Sequence, residues 1–305
     1  MDKNKPYFKQ ATLLMQILPD IAEHDCFALK GGTAINLFVR DLPRLSVDID
    51  LVYLPIADRE TSLTHIDNEL RLIENKLRRR LPGVSVVKRA EKGGPQFLKF
   101  VVQHEGASVK VEVSSVLRGA VFESITMDVS SRTQEMLGFA SMKLVSFEDL
   151  FAGKLCAALD RQHPRDLFDV KLLFENEGIT NNLFRTFIVY LISSNRPIAE
   201  LLRPNLSDLK QDFVTDFNGM TFDVVSLEDL KKARERLISS VHSKLEENDK
   251  NFLLSFKQGS PQWNLLGLED IEKLPAVLWK IHNLKQMNPD VRRAAIEKLE
   301  KVLYG

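Results

Sequence analysis

Asp48 and Asp50 stand one residue apart in the apolar run SVDIDLVYL. Successive side chains of an extended strand point to opposite faces, so Ser46, Asp48 and Asp50 share one face and Val47, Ile49 and Leu51 the other. Two carboxylates held side by side repel each other unless a cation sits between them, which points to a divalent metal with oxygen ligands, suited to Mg2+. Just upstream lies Gly31-Gly32-Thr33. Glycines let a phosphate approach the backbone closely, the free amides at a helix start attract anions, and the Thr33 hydroxyl adds a donor. A metal motif and a phosphate turn are therefore separated by one short helix.

These residues need elements to hold them. Asp25 to Leu29 reads as a short strand ending at Lys30, and Thr33 to Val39 as a helix that Pro43 closes; Arg44 then leads into the aspartate strand. Upstream, Phe8 to Glu23 has helical apolar spacing. Downstream, Leu63, Ile66, Leu70, Ile73 and Leu77 recur at three- and four-residue steps and predict a helix from Arg59 to Arg80. Its terminal Arg78, Arg79 and Arg80 read as a solvated, dipole-compatible helix end, with a nucleic-acid contact as the less common alternative.

Strand patterns follow over Val84 to Arg89, Phe97 to Gln103 and Ser108 to Ser114, with turns at Gly93 and Gly94 and at His104 to Ala107; the last two strands form an antiparallel hairpin. In KVEV, Val109, Val111 and Val113 face one way and Lys110, Glu112 and Ser114 the other. Glu112 is thus a solvent-facing residue or a third metal ligand, and the alternation taken by itself favours solvent.

From Ser146 onward the periodicity is helical. Phe147 to Asp160 forms a helix with Ser146 as N-cap and Asp149 in its first turn. Lys154 falls in the middle of its apolar face, so it must reach out along its stem or pair with an anion. Pro164 starts the next helix, RDLFDVKLLFENEG, which carries Asp166 and Asp169 a turn apart and stops at Gly178. Helical patterns continue to the end of the sequence, and no fixed-period repeat is present.

The chain has 305 residues, 44% of them apolar and 28% charged, which is ordinary for a globular protein and long enough for two domains. Lys and Arg balance Asp and Glu at 42 each, so no global field attracts nucleic acid or a membrane. Cys26 and Cys156 lack metal-ligand spacing and read as buried, reduced thiols. MDKNKPYFKQ holds no apolar core of signal-peptide length and no later stretch reaches membrane-spanning length, so the expectation is a cytoplasmic protein without membrane contact. The predicted fold class is α/β (α+β), with an α/β domain over residues 1–145 and a helical domain over 146–305.

The combination of Gly31, Gly32, Asp48 and Asp50 resembles the DNA polymerase β superfamily of nucleotidyltransferases. Arg44 and Ser46 in RLSVDID, with Lys154, Arg165, Asp166 and Asp169 in KLCAALDRQHPRDLFD, are similar to the AbiEii/AbiGii toxin branch. The resemblance spans about Phe27 to Leu173. It implies a polymerase β-like domain with a mixed sheet, and it reverses the preference at Glu112, the best match to the superfamily's third carboxylate. By that resemblance Asp48, Asp50 and Glu112 hold two Mg2+ ions that bridge the triphosphate of an NTP, activate an acceptor hydroxyl and stabilise the leaving pyrophosphate. Gly31, Gly32 and Ser46 contact phosphates with Arg44 and Thr33 nearby, Lys154 neutralises the triphosphate, and Asp166 orients Lys154 or the nucleotide. The first two helices of the second domain thereby complete the active site. The implied function is NMP transfer, most often to the 3′ end of tRNA, by the toxin of a bacterial toxin-antitoxin pair whose antitoxin is encoded elsewhere. Lys76 to Arg80 and Arg292 to Lys301 are local basic segments that could guide an RNA backbone or be plain exposed faces. Modification of a protein or small molecule, and NTP binding without turnover, are the alternatives.

Overall fold

A computed structural model describes residues 6–90 and 97–305; the turn expected at Gly93 and Gly94 lies outside the described residues. The chain divides into two compact units. The first comprises residues up to Ser146 together with Gly219–Val224, and the second comprises Phe147–Asn218 and Val225–Gly305.

The first unit opens with helix α1 (Pro6–Ala22), strand β1 (Phe27–Lys30) and a helical run made of α2 (Gly31–Thr33) and a π-helical segment (Ala34–Val39). Strand β2 (Asp48–Tyr53) and the long helix α3 (Arg59–Arg80) follow. Next come β3 (Ser85–Ala90), β4 (Phe97–His104), β5 (Ala107–Val113), β6 (Ile125–Asp128), α4 (Ser131–Leu137) and β7 (Ser141–Leu144). The strands form one mixed seven-stranded sheet in the order β3-β4-β5-β2-β1-β7-β6. β1 pairs antiparallel with β2 and parallel with β7; β2 pairs parallel with β5.

Alternation decides which face is covered. Ile49 and Leu51 on β2, Val109, Val111 and Val113 on β5, and Leu98, Phe100 and Val102 on β4 are all buried. Helix α1 packs on β5 and β7, and α3 on β4. Asp58 caps α3 by accepting the Thr61 amide at 2.9 Å, and the predicted Leu63, Ile66, Leu70, Ile73 and Leu77 stripe is buried. The opposite face keeps Lys99, Lys110, Glu112, Asp48, Asp50 and Lys30 only partly covered.

Three findings depart from the sequence expectations. Ser46 precedes β2 rather than sharing it, because the chain at Arg44 bridges antiparallel to Thr221 while Leu45 donates its amide to the Met220 carbonyl. That short segment, distant in sequence, belongs to the first unit for this reason. β6, α4 and β7 carry no signal in the sequence analysis: each strand has four residues, and the Ile125 and Met127 alternation of β6 is too short to stand out and covers no buried face. Cys26 and Cys156 are free thiols but only partly buried. The arginines ending α3 are all exposed, as expected of a solvated helix end, although Arg80 also grips the buried Asp20 and Arg78 pairs with Glu74.

In the second unit α5 (Phe147–Asp160), α6 (Pro164–Glu175), α7 (Asn181–Ser193), α8 (Ile198–Leu202) and the short α9 (Lys210–Asp212) precede α10 (Leu227–Lys244), α11 (Glu247–Gln258), α12 (Pro275–Gln286) and α13 (Pro289–Tyr304). The α5 face carrying Leu150, Phe151, Ala158 and Leu159 is buried, with α5 packed against α6 and α7. Asp149 is 1% exposed and accepts a hydrogen bond from Tyr190 at 3.0 Å, a tertiary partner in addition to its place in the first turn.

Candidate active site

Strand register gathers the charged residues of the first unit. Lys30 stands opposite Asp50 across β1 and β2, Asp50 opposite Glu112 across β2 and β5, and Glu112 opposite Lys99 across β5 and β4. One row of the open face therefore reads Lys30, Asp50, Glu112, Lys99. Asp48 and Lys110 pair in the adjacent row. Lys110 reaches along its own strand and donates to Glu112 at 2.8 Å. Burial pulls Lys110 down, but the Glu112 hydrogen bond and the charges of Asp50, Glu112 and Asp48 outweigh it and raise it above the ordinary ammonium value. Burial raises Glu112, yet Lys110, Lys99 and Lys30 hold it below the usual carboxylate value. Lys30 is lowered by burial, against the opposing pull of Asp50 and Glu112.

The glycine turn is built against these aspartates. Gly31 has φ +73°, and a Cβ placed there would sit 2.8 Å from Asp50 Oδ2. Any other residue at position 31 would carry backbone strain and strike the carboxylate. A Cβ at Gly32 would meet the Arg44 guanidinium at 2.8 Å and Ser46 Oγ at 3.1 Å. Below the turn, the buried Thr33 hydroxyl hydrogen-bonds Ser46 Oγ at 2.9 Å and donates to the Asp48 carbonyl at 2.5 Å. Thr33 therefore brackets the turn to the start of β2. Arg44 is 2% exposed and donates to the Leu45 carbonyl at 3.0 Å, with its guanidinium lodged against Gly32.

The donor chemistry suits a hard divalent cation: three carboxylates share one sheet face, and Asp50 is seated on a glycine that leaves its oxygen room. Lys30 and Lys110 went unrecognised as site residues in the sequence. The alternation placed Lys110 on the same face as Glu112, but only register reveals that Lys110 stands opposite Asp48 and Lys30 opposite Asp50.

Lys154 and Asp166 lie in the second unit, on α5 and α6. Lys154 is 6% exposed and pairs with Asp166 at 2.7 Å and with Asp169 at 2.9 Å. Pairing, rather than reaching out to water, resolves its position on an apolar helix face. Arg161 spans both Asp166 oxygens, donating from Nε to Oδ2 at 2.5 Å and from Nη2 to Oδ1, which Lys154 also contacts, at 3.0 Å. Burial alone raises Asp166, but Lys154 and Arg161 dominate and hold its carboxyl well below the usual range. His163 caps α6 by accepting the Arg165 amide at 3.1 Å, with Pro164 in the first turn.

A mixed sheet whose glycine turn abuts an Asp-x-Asp strand defines a nucleotidyltransferase domain. The match to the family of nucleotidyl transferase AbiEii toxins of type IV toxin-antitoxin systems runs over residues 12–281, and the chain belongs to that family. It is a nucleotidyltransferase of the toxin type, a class that uses an NTP and a divalent metal and is paired with an antitoxin. Among solved structures it is similar in fold to MenT4, a nucleotidyltransferase toxin from Mycobacterium tuberculosis H37Rv. Identity is 14% over 92% of this chain and 93% of that one, with a TM-score of 0.59. No curated protein matches it. Among the described residues no helix is long and apolar enough to cross a membrane.

Proposed function

We propose that this toxin transfers NMP from an NTP to the 3′-terminal hydroxyl of tRNA in the cytoplasm, with Mg2+ as its metal. The observation that carries the proposal is the seating of Asp50 against Gly31, with Asp48 on the same sheet face. Bound metal supplies charge neutralisation of the triphosphate and a Lewis-acid centre for the acceptor oxygen. Asp48, Asp50 and Glu112 are the residues that would hold it, two ions being the number expected for this chemistry. The Gly31 and Gly32 amides, at the head of a helical run, would receive phosphate oxygens, with Ser46 beside them. Arg44 and Thr33 support that turn from below, and the Arg44 guanidinium adds to its positive field. Lys30 and Lys110 limit mutual repulsion among the carboxylates before any cation arrives.

Lys154 is assigned to the triphosphate and Asp166 to holding the Lys154 ammonium in position. The geometry that favours this division is the 2.7 Å contact, which fixes the ammonium without exposing it. Assignment of the acceptor to tRNA follows the family resemblance. Basic segments lend it little: Lys76 pairs with Glu23 and Asp20, Arg80 with Asp20, Arg78 with Glu74, and Lys298 with Glu200. Local charge near the glycine turn, rather than these paired side chains, is then the guide assigned to the acceptor.

The test incubates the protein and Mg2+ with each α-labelled NTP in turn, supplying total RNA, protein or small-molecule extract as acceptor and Asp48→Ala as control. Label in tRNA alone, lost in the control, is the expected result. Label in protein or in a small molecule overturns the acceptor, and NTP binding with no label in any fraction overturns turnover itself.

A further inference from the structure

At the opposite end of the β1–β2 pair from the glycine turn, three metal-ligating side chains of different chemistry converge. One ligand atom each from Cys26, His65 and Glu69 lies within 4.8 Å of the others. Cys26 sits in the tight turn between α1 and β1, where the Phe27 amide donates to the His24 carbonyl and Lys143 anchors Asp25 at 2.8 Å. His65 and Glu69 are one helical turn apart on α3, so their side chains project from one face. One rigid helix and a pinned turn thus aim a thiol, an imidazole and a carboxylate at one point.

The surrounding contacts are those that orient metal ligands. Tyr53 OH meets His65 Nδ1 at 2.8 Å and its ring packs edge-on against the imidazole at 5.6 Å. A tyrosine hydroxyl accepts as readily as it donates, so Nδ1–H can bond to Tyr53 while the Nε2 lone pair remains for a cation. Nε2 faces Glu69 Oε1 at 3.3 Å. The other Glu69 oxygen is hydrogen-bonded to His24 Nδ1. Each imidazole or carboxylate ligand therefore has a second partner fixing its orientation. The His65 side chain is 46% exposed, which gives an ion a route in and a water molecule access to a fourth position.

We infer that Cys26, His65 and Glu69 form a Zn2+ site, distinct from the carboxylate site of nucleotidyl transfer, that clips α3 to the α1–β1 turn. A thiolate and a carboxylate together cancel the ion's charge. The mixed sulfur, nitrogen and oxygen set suits a borderline ion of tetrahedral preference and not Mg2+. Ligand atoms of tetrahedral zinc lie about 3.5 Å apart, so closure from 4.8 Å takes side-chain movements of about 1 Å. β1 separates the two sites: Cys26 precedes it and Lys30 ends it. Four residues of extended chain are about 13 Å.

Binding of Co2+ to the reduced full-length protein tests this, because a cobalt–thiolate bond gives a charge-transfer band and tetrahedral geometry gives intense visible bands. One equivalent of Co2+ should produce both, and one equivalent of Zn2+ should abolish them by displacement. Cys26→Ser should remove the charge-transfer band, and His65→Ala and Glu69→Gln should each weaken binding at least tenfold. Asp48→Asn should keep the wild-type spectrum, which separates this site from the transfer site. Far-UV circular dichroism checks that each variant folds, and Glu69→Gln, nearly isosteric, decides the matter if Cys26→Ser does not fold. Absence of a thiolate band in the wild type overturns the inference, as does wild-type Co2+ affinity in folded Glu69→Gln.

Discussion

On the open face of the sheet, three carboxylates and three lysines stand partly exposed in two rows, while in the helical unit Lys154, Asp166 and Asp169 are all 6% exposed or less. Both clusters balance charge, but they do so under different dielectric conditions. The sheet rows keep water, so each pair is worth little and a carboxylate there can exchange its lysine for a cation at small cost. The helical cluster has lost its water, so its ions depend on one another, and removing one strands the rest. The first arrangement leaves carboxylates free for chemistry. The second holds an ammonium in a fixed place.

The largest expected effect sharpens that contrast from the sheet side. Asp48→Asn should lower NMP transfer by at least about 10³-fold, equivalent to about 4 kcal/mol of barrier. It should leave the thermal midpoint unchanged or slightly raised, because one of three mutually repelling carboxylates is gone. Both quantities come from a labelled-NTP assay and a melting curve on one preparation. A variant that melts early would show that Asp48 holds the fold together, and the contrast between the clusters would break.

From the helical side, Lys154→Ala leaves Asp166 and Asp169 buried with one cation fewer, and should cost about 3–5 kcal/mol of unfolding free energy in urea titration. Acid behaviour offers a second handle. Asp166 has a folded pKa held well below its unfolded value of about 4, so its contribution is fully present above that pH and is lost as pH falls toward the depressed value. Asp166→Asn should therefore destabilise the protein at neutral pH and flatten the acid limb of its stability profile. An acid limb as steep as that of the wild type would remove the carboxylate from the account.

Gly31→Ala probes the seam between turn and metal site. The left-handed backbone costs an alanine about 1–2 kcal/mol, and its methyl group would push the Asp50 carboxylate. Transfer should fall by more than stability does, with the loss in kcat rather than in binding of the NTP. Equal loss in a melting curve and in turnover would make the glycine a requirement of the fold alone.

How much of this was legible in the sequence follows from which distances the chain encodes. Period-two alternation exposed the open face of β5, and period-three-to-four spacing exposed α3, because both depend on neighbours a few residues away. The glycine turn and the Asp-x-Asp strand were visible for the same reason. Register between β2 and β5 was not, so the pairing of Asp50 with Glu112 and of Asp48 with Lys110 needed coordinates. Nor could local pattern show that Met220, buried and distant in sequence, closes the loop before Asp48. His24, Cys26, His65 and Glu69 escaped because their spacing is split between a turn and a helix.

Arg80 and Arg79 extend the comparison to its weakest case. Asp20 is 2% exposed, and Arg80 binds it through Nε at 3.1 Å and 3.0 Å and through Nη2 at 2.6 Å, with Lys76 farther away at 3.7 Å. Arg80→Ala removes the main partner of a buried carboxylate but leaves Lys76, so a loss of about 1–2 kcal/mol is expected, between the two clusters in size. Arg79 is exposed, and Arg79→Ala should change stability by less than about 0.5 kcal/mol. If the helix end is only a solvated face, tRNA labelling by Arg79→Ala also stays at the wild-type level at low and high salt. A raised KM for tRNA at an unchanged melting temperature, growing as salt is lowered, would instead make this arginine a phosphate contact.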